Sequence, residues 1–307
     1  MNASAGQAVV RTEKLTKYYG HARGIVEVDL EVRRGEVFGF LGPNGAGKTT
    51  TIRLLLDLIR PTRGRAEVLG LDVRRDRLEI HRRVSYLPGE LALYADLTAA
   101  QVLTYLGNLR GGANPDDVQT LAGRLQLDLS RKIKAMSLGN KQKVGLVAAF
   151  MGRPELLILD EPSIGLDPLV QQEFERIVEE VRADGRTVFL SSHILPEVEH
   201  LCDRVGIIRE GRLVVVETVA DLKARALRRL EIDFDGMASP EVFANVPGVR
   251  DVAVHDGVLR CTVMGDLDAL VKTAARFHVR DIHTVETSLE EIFLAYYGEE
   301  ANRHAAA

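Results

Sequence analysis

The sequence predicts an α/β chain with a mainly parallel sheet, followed by a small α+β domain. Three observations carry that prediction. Short apolar strand patterns alternate with helical patterns over the first two thirds of the chain, the grammar of a layered α/β fold. From about residue 96 to 150 the pattern is wholly helical, so a helical insertion interrupts the layer. After about Ala224 the elements recur as β-α-β-β-α-β, a split βαβ arrangement. The expected boundaries are 1–225 for the first domain and 226–300 for the second, with 301–307, "ANRHAAA", as a disordered tail.

Taken in order, Ile25 to Arg33 alternates Val26, Val28, Leu30 and Val32 with charged residues, the mark of a half-buried strand. Glu36 to Leu41, "EVFGFL", reads as a short apolar strand running into a Gly-rich turn. A helix is predicted from Lys48 through "TTTIRLLLDLI", stopped by Pro61 and Gly64. Further strands are predicted over Val84 to Leu87, Leu156 to Leu159, Thr187 to Leu190 and Arg204 to Ile208, with "DPLVQQEFERIVEEVRADG" as a helix between two of them. In the second domain "RRLEIDFDG" reads as a strand and "SPEVFANV" as a helix capped by Ser239 with Pro240 first. A hairpin turned at Asp256-Gly257, a helix in "DLDALVKTAARF", a strand in "VRDIHTVET" and a terminal helix from Ser288 complete it.

Composition narrows the function classes. The 307 residues are 46% hydrophobic and carry no Trp, so the core is aliphatic; the net charge of −4 argues against a general nucleic-acid-binding surface. Arg60 to Arg83 holds eight arginines against four acids, read as solvated helix and turn faces. Cys202 and Cys261 have no metal-ligand spacing and read as structural thiols of a reducing compartment. The longest apolar runs, such as Val144 to Gly152, fall short of the roughly 18–20 residues that span a bilayer. The opening "MNASAGQAVVRTEK" has no apolar signal-peptide core. If the protein serves a membrane, it is expected to do so from the cytosolic side, through a partner.

The chemistry concentrates in a few stretches. Gly42-Pro43-Asn44-Gly45-Ala46-Gly47-Lys48-Thr49, with Thr50 following, fits GxxxxGK[ST] between a predicted strand and a predicted helix. Glycines let backbone N–H groups curl around phosphate oxygens, and the helix N-terminus adds the positive end of its dipole. Lys48 would bridge the β- and γ-phosphates and Thr49 would offer its hydroxyl to Mg²⁺. In "LLILDEP", Asp160 and Glu161 end an apolar strand. Two acids there are by themselves only a strand end; beside a phosphate loop they become a metal-holding carboxylate and a base for water.

In order, the chain carries "YYG", "GPNGAGKTT", "MSLGNKQKV", "LLILDEPSIGLDP" and "FLSSH". This set resembles the ATPase subunit of an ATP-binding-cassette transporter, over about residues 8–222. The resemblance implies a P-loop NTPase core with an antiparallel β subdomain and the helical insertion. It implies that Tyr19 stacks on adenine, Asp160 positions Mg²⁺, Glu161 is the general base, His193 contacts the γ-phosphate and Asp167 couples two sites. It also implies a homodimer closed head to tail, each ATP completed by the partner copy's signature stretch Ser137, Leu138, Gly139 and Asn140. The second domain is similar to an appendage of bacterial ATPases that pair with a separate permease and export antibiotics, drugs, lipids or polysaccharides. Drug or antibiotic export from the cytoplasmic face of the membrane is the expected role.

Two places depart from the family's pattern. Its Gln or Glu after "YxP" is Gly89 here, with Glu90 next: either the loop shifts so that Glu90 reaches the metal, or that contact is missing. In the signature, Leu138 replaces a Gly and Asn140 a Gln, while Ser137 and Gly139 remain. Two other readings stay open at this level. One is a permease-independent ATPase acting on ribosomes or DNA, against which the acidic balance speaks; the other is a binding-only subunit, kept open by Gly89.

Overall fold

The computed structural model describes residues 7–225, 228–236, 239–255, 257–263 and 266–285. The chain divides into two compact units with the break between Glu217 and Thr218. The terminal helix expected from Ser288, the tail 301–307 and Asp256 of the predicted hairpin turn lie outside the described residues.

The first unit holds two sheets. One is antiparallel: β1 (Ala8–Tyr19) lies between β2 (Ala22–Val28) and β5 (Arg63–Val68), β6 (Leu71–Asp72) flanks β5, and β3 (Glu31–Arg33) also pairs with β1. The strand predicted over Ile25 to Arg33 is thus two strands, and hydrogen bonds at Asp29 show why. The Asp29 carboxylate accepts from Lys14 N at 2.6 Å, while Thr12 Oγ1 donates to Val28 O at 2.7 Å and accepts from Leu30 N at 2.9 Å. Side chains there take the place of ladder partners, and the chain changes its pairing.

The other sheet has six strands in the order β11-β10-β4-β9-β8-β7: β4 (Val37–Leu41), β7 (Val84–Leu87), β8 (Leu156–Asp160), β9 (Thr187–Ser192), β10 (Arg204–Arg209) and β11 (Arg212–Thr218). The pairs β10–β4, β4–β9, β9–β8 and β8–β7 are parallel. Both faces of such a sheet are covered, which is why β4, β8 and β9 are buried throughout and carry apolar stretches, Leu156 to Leu159 in β8 and Val188 to Leu190 in β9. Phe38, Phe40 and Phe189 stack across β4 and β9 with ring centroids 5.5–5.8 Å apart.

Helix α1 (Lys48–Leu55) follows β4, and α2 (Arg77–Arg83) precedes β7. α1 ends earlier than the apolar run "LLLDLI" predicts, because Asp57 takes φ 53°, a left-handed exit usually given to glycine. The stretch between β7 and β8 is helical as expected: α3 (Ala99–Leu109), α4 (Pro115–Arg124) and α5 (Leu138–Phe150). α6 (Pro168–Ala183) and α7 (Leu195–Leu201) follow β8 and β9 in turn. No helix among the described residues is long and apolar enough to cross a membrane.

The second unit contains α8 (Val219–Arg225), β12 (Arg228–Phe234), α9 (Pro240–Ala244), β13 (Val249–His255), β14 (Val258–Val263), α10 (Asp268–Ala274) and β15 (Val279–Val285). Its sheet is antiparallel in the order β13-β14-β12-β15. Alternate residues Leu230, Ile232 and Phe234 of β12 join Phe243 and Leu270 from the two helices in one core. The β-α-β-β-α-β order read from the sequence is the observed one. Cys202 in the first unit and Cys261 in the second are buried free thiols.

Candidate active site

The parallel sheet places three loop origins side by side. Leu41 of β4 is in register with Ser192 of β9, and Ser191 of β9 with Asp160 of β8. The carboxyl ends of adjacent strands therefore deliver the Gly42 loop, His193 and the Asp160-Glu161 pair to one place, where parallel sheets bind their ligands.

Two glycines of the first loop are demanded by space. A Cβ on Gly42 would stand 2.4 Å from Ile208 O, and one on Gly47 would stand 2.6 Å from the Ile25 side chain, with Gly47 also at φ 112°. Gly47 caps α1 without a side chain, so the helix's first-turn N–H groups stay available to an anion. Pro43, Asn44 and Gly45 form an exposed crest closed by Ala46 N donating to Pro43 O at 3.1 Å.

Behind the crest the side chains interlock. Lys48 Nζ is buried and donates to Gly42 O at 2.6 Å and Pro43 O at 3.3 Å. It also lies 3.0 Å from Glu161 Oε1, an ion pair whose angle makes no hydrogen bond. Thr49 Oγ1 donates to Asp160 Oδ2 at 2.8 Å, and Ser191 Oγ donates to Asp160 Oδ1 at 2.5 Å. Glu161 sits at φ 52°, a strained backbone for a side chain with a Cβ, held by its N–H on Ser191 O at 3.1 Å. That turn points its carboxylate at His193, whose Nδ1 is 2.7 Å from Glu161 Oε2. Lys48, Thr49, Asp160, Glu161 and His193 are thus brought together. Tyr19, half exposed, flanks them with its hydroxyl 3.5 Å from Thr50 Oγ1 and Lys17 Nζ over its ring at 5.1 Å.

A hydroxyl and a single carboxylate meeting at Thr49 and Asp160 form a hard oxygen pair that suits Mg²⁺. Mg²⁺ takes few protein ligands and keeps water and phosphate oxygens for the rest. Glu90 is not brought to that pair: it is exposed and makes no hydrogen bond with Thr49 or Asp160. Gly89 occupies the place beside the carboxylate, a Cβ on it lying 3.5 Å from Asp160 Oδ2. The Pro88-Gly89 turn after β7 sets that order, because Gly89 comes first in the chain and faces the neighbouring strand end. Tyr86 on β7 also feels Asp160: burial first, and then that negative charge, push its hydroxyl up to about 12.

The signature stretch sits apart from this cluster and makes no hydrogen bond to the phosphate loop among the described residues. Ser137 caps α5, its Oγ accepting from Asn140 N at 3.3 Å and from Asn140 Nδ2 at 3.1 Å. With both acceptor positions used, the Ser137 hydroxyl has only its proton left to offer outward. Gly139 is glycine for a reason internal to the chain, since a Cβ there would stand 2.2 Å from Gly165 O. Leu138 is 65% exposed. Asp167 caps α6 by accepting from Val170 N at 3.1 Å, with Lys143 Nζ 3.8 Å away.

Sequence reasoning missed four participants. Ser191 and Ser192 stood in the quoted "FLSSH" without a role, yet Ser191 binds both Asp160 and Glu161 N. Gln142, in "MSLGNKQKV", is buried and donates to Pro162 O at 2.9 Å, tying α5 to the turn after Glu161. Glu197, also buried, accepts from Ser192 Oγ at 2.5 Å. No residue spacing marks any of them; Gln142 lies five positions after Ser137, off its helix face.

The comparisons agree with this geometry. The ABC transporter family profile matches residues 25–164. The bacitracin transport ATP-binding protein BcrA of Bacillus licheniformis is 37% identical over 299 residues, covering 94% of this chain and 97% of the relative. The linearmycin resistance ATP-binding protein of Bacillus subtilis is 31% identical over 306 residues (94% and 98%). The fluoroquinolones export ATP-binding protein of Mycobacterium tuberculosis is 32% identical over 308 (97% and 96%). Among solved structures, an ATP-binding subunit of an ABC transporter superposes with TM-score 0.65 at 32% identity, covering 70% of this chain and 92% of that one. A dimeric cassette bound to ADP and Pi shares the fold at TM-score 0.63 and 20% identity, covering 68% and 98%. With a phosphate loop, paired acids and a histidine on neighbouring strand ends, and with likeness along nearly its whole length, this chain belongs to the ABC transporter ATP-binding proteins, binding and hydrolysing ATP.

Proposed function

We propose that the chain powers export of a drug or antibiotic through a separately encoded membrane permease, on the cytoplasmic face of the membrane. The observation that carries the choice of cargo class is likeness over both units to relatives named for bacitracin, linearmycin and fluoroquinolones. The working form is a homodimer closed head to tail, each ATP lying between the phosphate loop of one copy and Ser137 and Gly139 of the other. Asp167, at the head of α6, couples the two sites.

Within a site, Tyr19 supports the adenine, and the amides from Gly42 to Thr50 wrap the phosphates. Lys48 bridges the β- and γ-phosphates. Thr49 and Asp160 would hold Mg²⁺, which when bound neutralises charge on the phosphate oxygens. Glu161 takes the proton of the attacking water, and His193, on the other side of that carboxylate, contacts the γ-phosphate. The short His193–Glu161 contact supports this division, since it aims the base and the phosphate ligand together.

The test removes the base and keeps the shape. Glu161→Gln should lower ATP turnover by about 10²–10⁴-fold with ATP still bound, the range expected for a lost general base. Turnover at the parent rate would sink the assignment. For the cargo, co-expression with the permease that co-purifies should raise ATPase activity and drug tolerance together; an activity indifferent to the permease argues against export.

A further inference from the structure

Helix α5 begins after Ser137, and its inner side meets the turn that follows Glu161 at three points. Gln142 Nε2 donates to Pro162 O at 2.9 Å and, at the longer distance of 3.4 Å, to Glu161 O. Gly139 and Gly165 bring the two backbones into contact, a Cβ on Gly139 standing 2.2 Å from Gly165 O. Lys143 is buried, with its Nζ 3.8 Å from Asp167 Oδ2. The turn from Glu161 to Asp167 is therefore held against the start of α5 at both of its ends and in between. Gln142 makes the polar contact at the catalytic end. It is only 3% exposed, Pro162 is buried as well, and proline brings no N–H of its own to that turn. The backbone it holds is the strained one, with Glu161 at φ 52°. Such a conformation persists only where its surroundings over-determine it.

We propose that Gln142 is a positioning residue that couples the two ATP sites of the dimer from within each chain. The proposal rests on the head-to-tail dimer stated above. In that dimer Ser137, at the head of α5, meets the ATP held by the other copy, while Glu161 serves the ATP held by its own. Gln142 supplies the hydrogen bonds from the helix that carries the one to the strained turn that carries the other. Seating Ser137 on the other copy's ATP fixes α5, and through Gln142 it fixes the carbonyls of Glu161 and Pro162, and so the base. Each ATP thereby acts on the base of the opposite site, through a contiguous network of packed and bonded groups. The residue type matters. A side-chain amide has two N–H groups for two carbonyls, whereas methionine of similar length has none. Glutamate of the same shape would set a carboxylate against two carbonyl oxygens.

The experiment measures steady-state ATPase activity of the full chain across ATP concentration, with titration of a fluorescent ATP analogue. It compares Gln142→Met and Gln142→Glu, in the parent and in a Ser137→Ala background. Gln142→Met should lower kcat by about tenfold, the worth of one well-placed hydrogen bond, with the analogue Kd within about twofold. It should also bring the Hill coefficient from above the parent's uncoupled limit of about 1 down to that limit. Gln142→Glu should lose at least as much, since shape does not replace the N–H donors. In the Ser137→Ala background, adding Gln142→Met should cost less than about twofold more, because residues acting as one unit are not additive. A side chain that only propped up Glu161 would cost its full tenfold there. A parent without cooperativity, an unchanged kcat or Hill coefficient in Gln142→Met, parent-rate turnover in Gln142→Glu, or a full further loss in the Ser137→Ala background overturns the proposal alone. Ser137→Ala at the parent rate overturns the dimer reading, and the proposal with it. If Gln142→Met does not fold, Gln142→Asn, whose amide stops one methylene short of Pro162 O, takes its place with the same expectations and the same overturning results.

Discussion

Two helix N-termini in this chain are candidates to face phosphate, and they are built in opposite ways. α1 starts after Gly47, which has no side chain and a left-handed backbone. α5 starts after Ser137, whose hydroxyl oxygen already accepts two hydrogen bonds from Asn140. The first end leaves its backbone amides to the anion and brings Lys48 and Thr49 alongside. The second spends one amide on its own cap and presents a hydroxyl proton instead. An anion gripped by many amides is held by one chain alone; an anion met by a single oriented proton needs another chain to hold it first. The contrast supports a site whose binding half and closing half reside in different copies.

That contrast can be broken by exchanging which half is damaged. Ser137→Arg should leave the isolated chain's Kd for ATP within about twofold while lowering turnover about 10²-fold, the scale of a lost transition-state donor. Equal turnover would make the stretch only a helix entry. Gly42→Ala should act the other way. Its new Cβ meets Ile208 O at 2.4 Å, so the loop must shift, and overpacking of about 1–3 kcal/mol weakens ATP binding roughly tenfold or more. Isothermal titration of the isolated variant would show it, and unaltered affinity would mean that the loop tolerates the crowding.

How much of this was legible in the sequence differs by residue for physical reasons. The phosphate loop could be read because its chemistry restricts residue types at fixed spacing, and β4, β8 and β9 because burial on both faces writes a short apolar stretch into each. β1 was missed: left-handed backbone at Lys14 and register shifts against β2, β3 and β5 blur its alternation. The break at Asp29 and the early end of α1 at Asp57 both depend on acidic residues in unusual local roles, which hydrophobic patterns do not record. Ser191 could not be seen at all, since its bond to Asp160 comes from the register of β8 against β9. Whether the loop after β7 shifts to carry Glu90 toward the metal is not written in residue types; here Gly89 lies beside Asp160, with a Cβ on it 3.5 Å from Asp160 Oδ2.

The subtlest element of the comparison is Asn140, which stands where the family pattern has Gln. Its Nδ2 group fills one of the two acceptor positions of Ser137 Oγ, and its backbone N–H fills the other. Asn140→Ala removes the first bond and keeps the second, so the cap persists while the hydroxyl gains freedom to turn its proton inward. One neutral hydrogen bond is worth about 0.5–1.5 kcal/mol, and turnover should fall by roughly two- to tenfold at unchanged ATP affinity of the isolated chain. Melting temperature should barely move, because the network is exposed. A loss in Asn140→Ala as deep as in Ser137→Arg would mean that Asn140 itself donates to phosphate. No loss would mean that the backbone amide alone orients the serine.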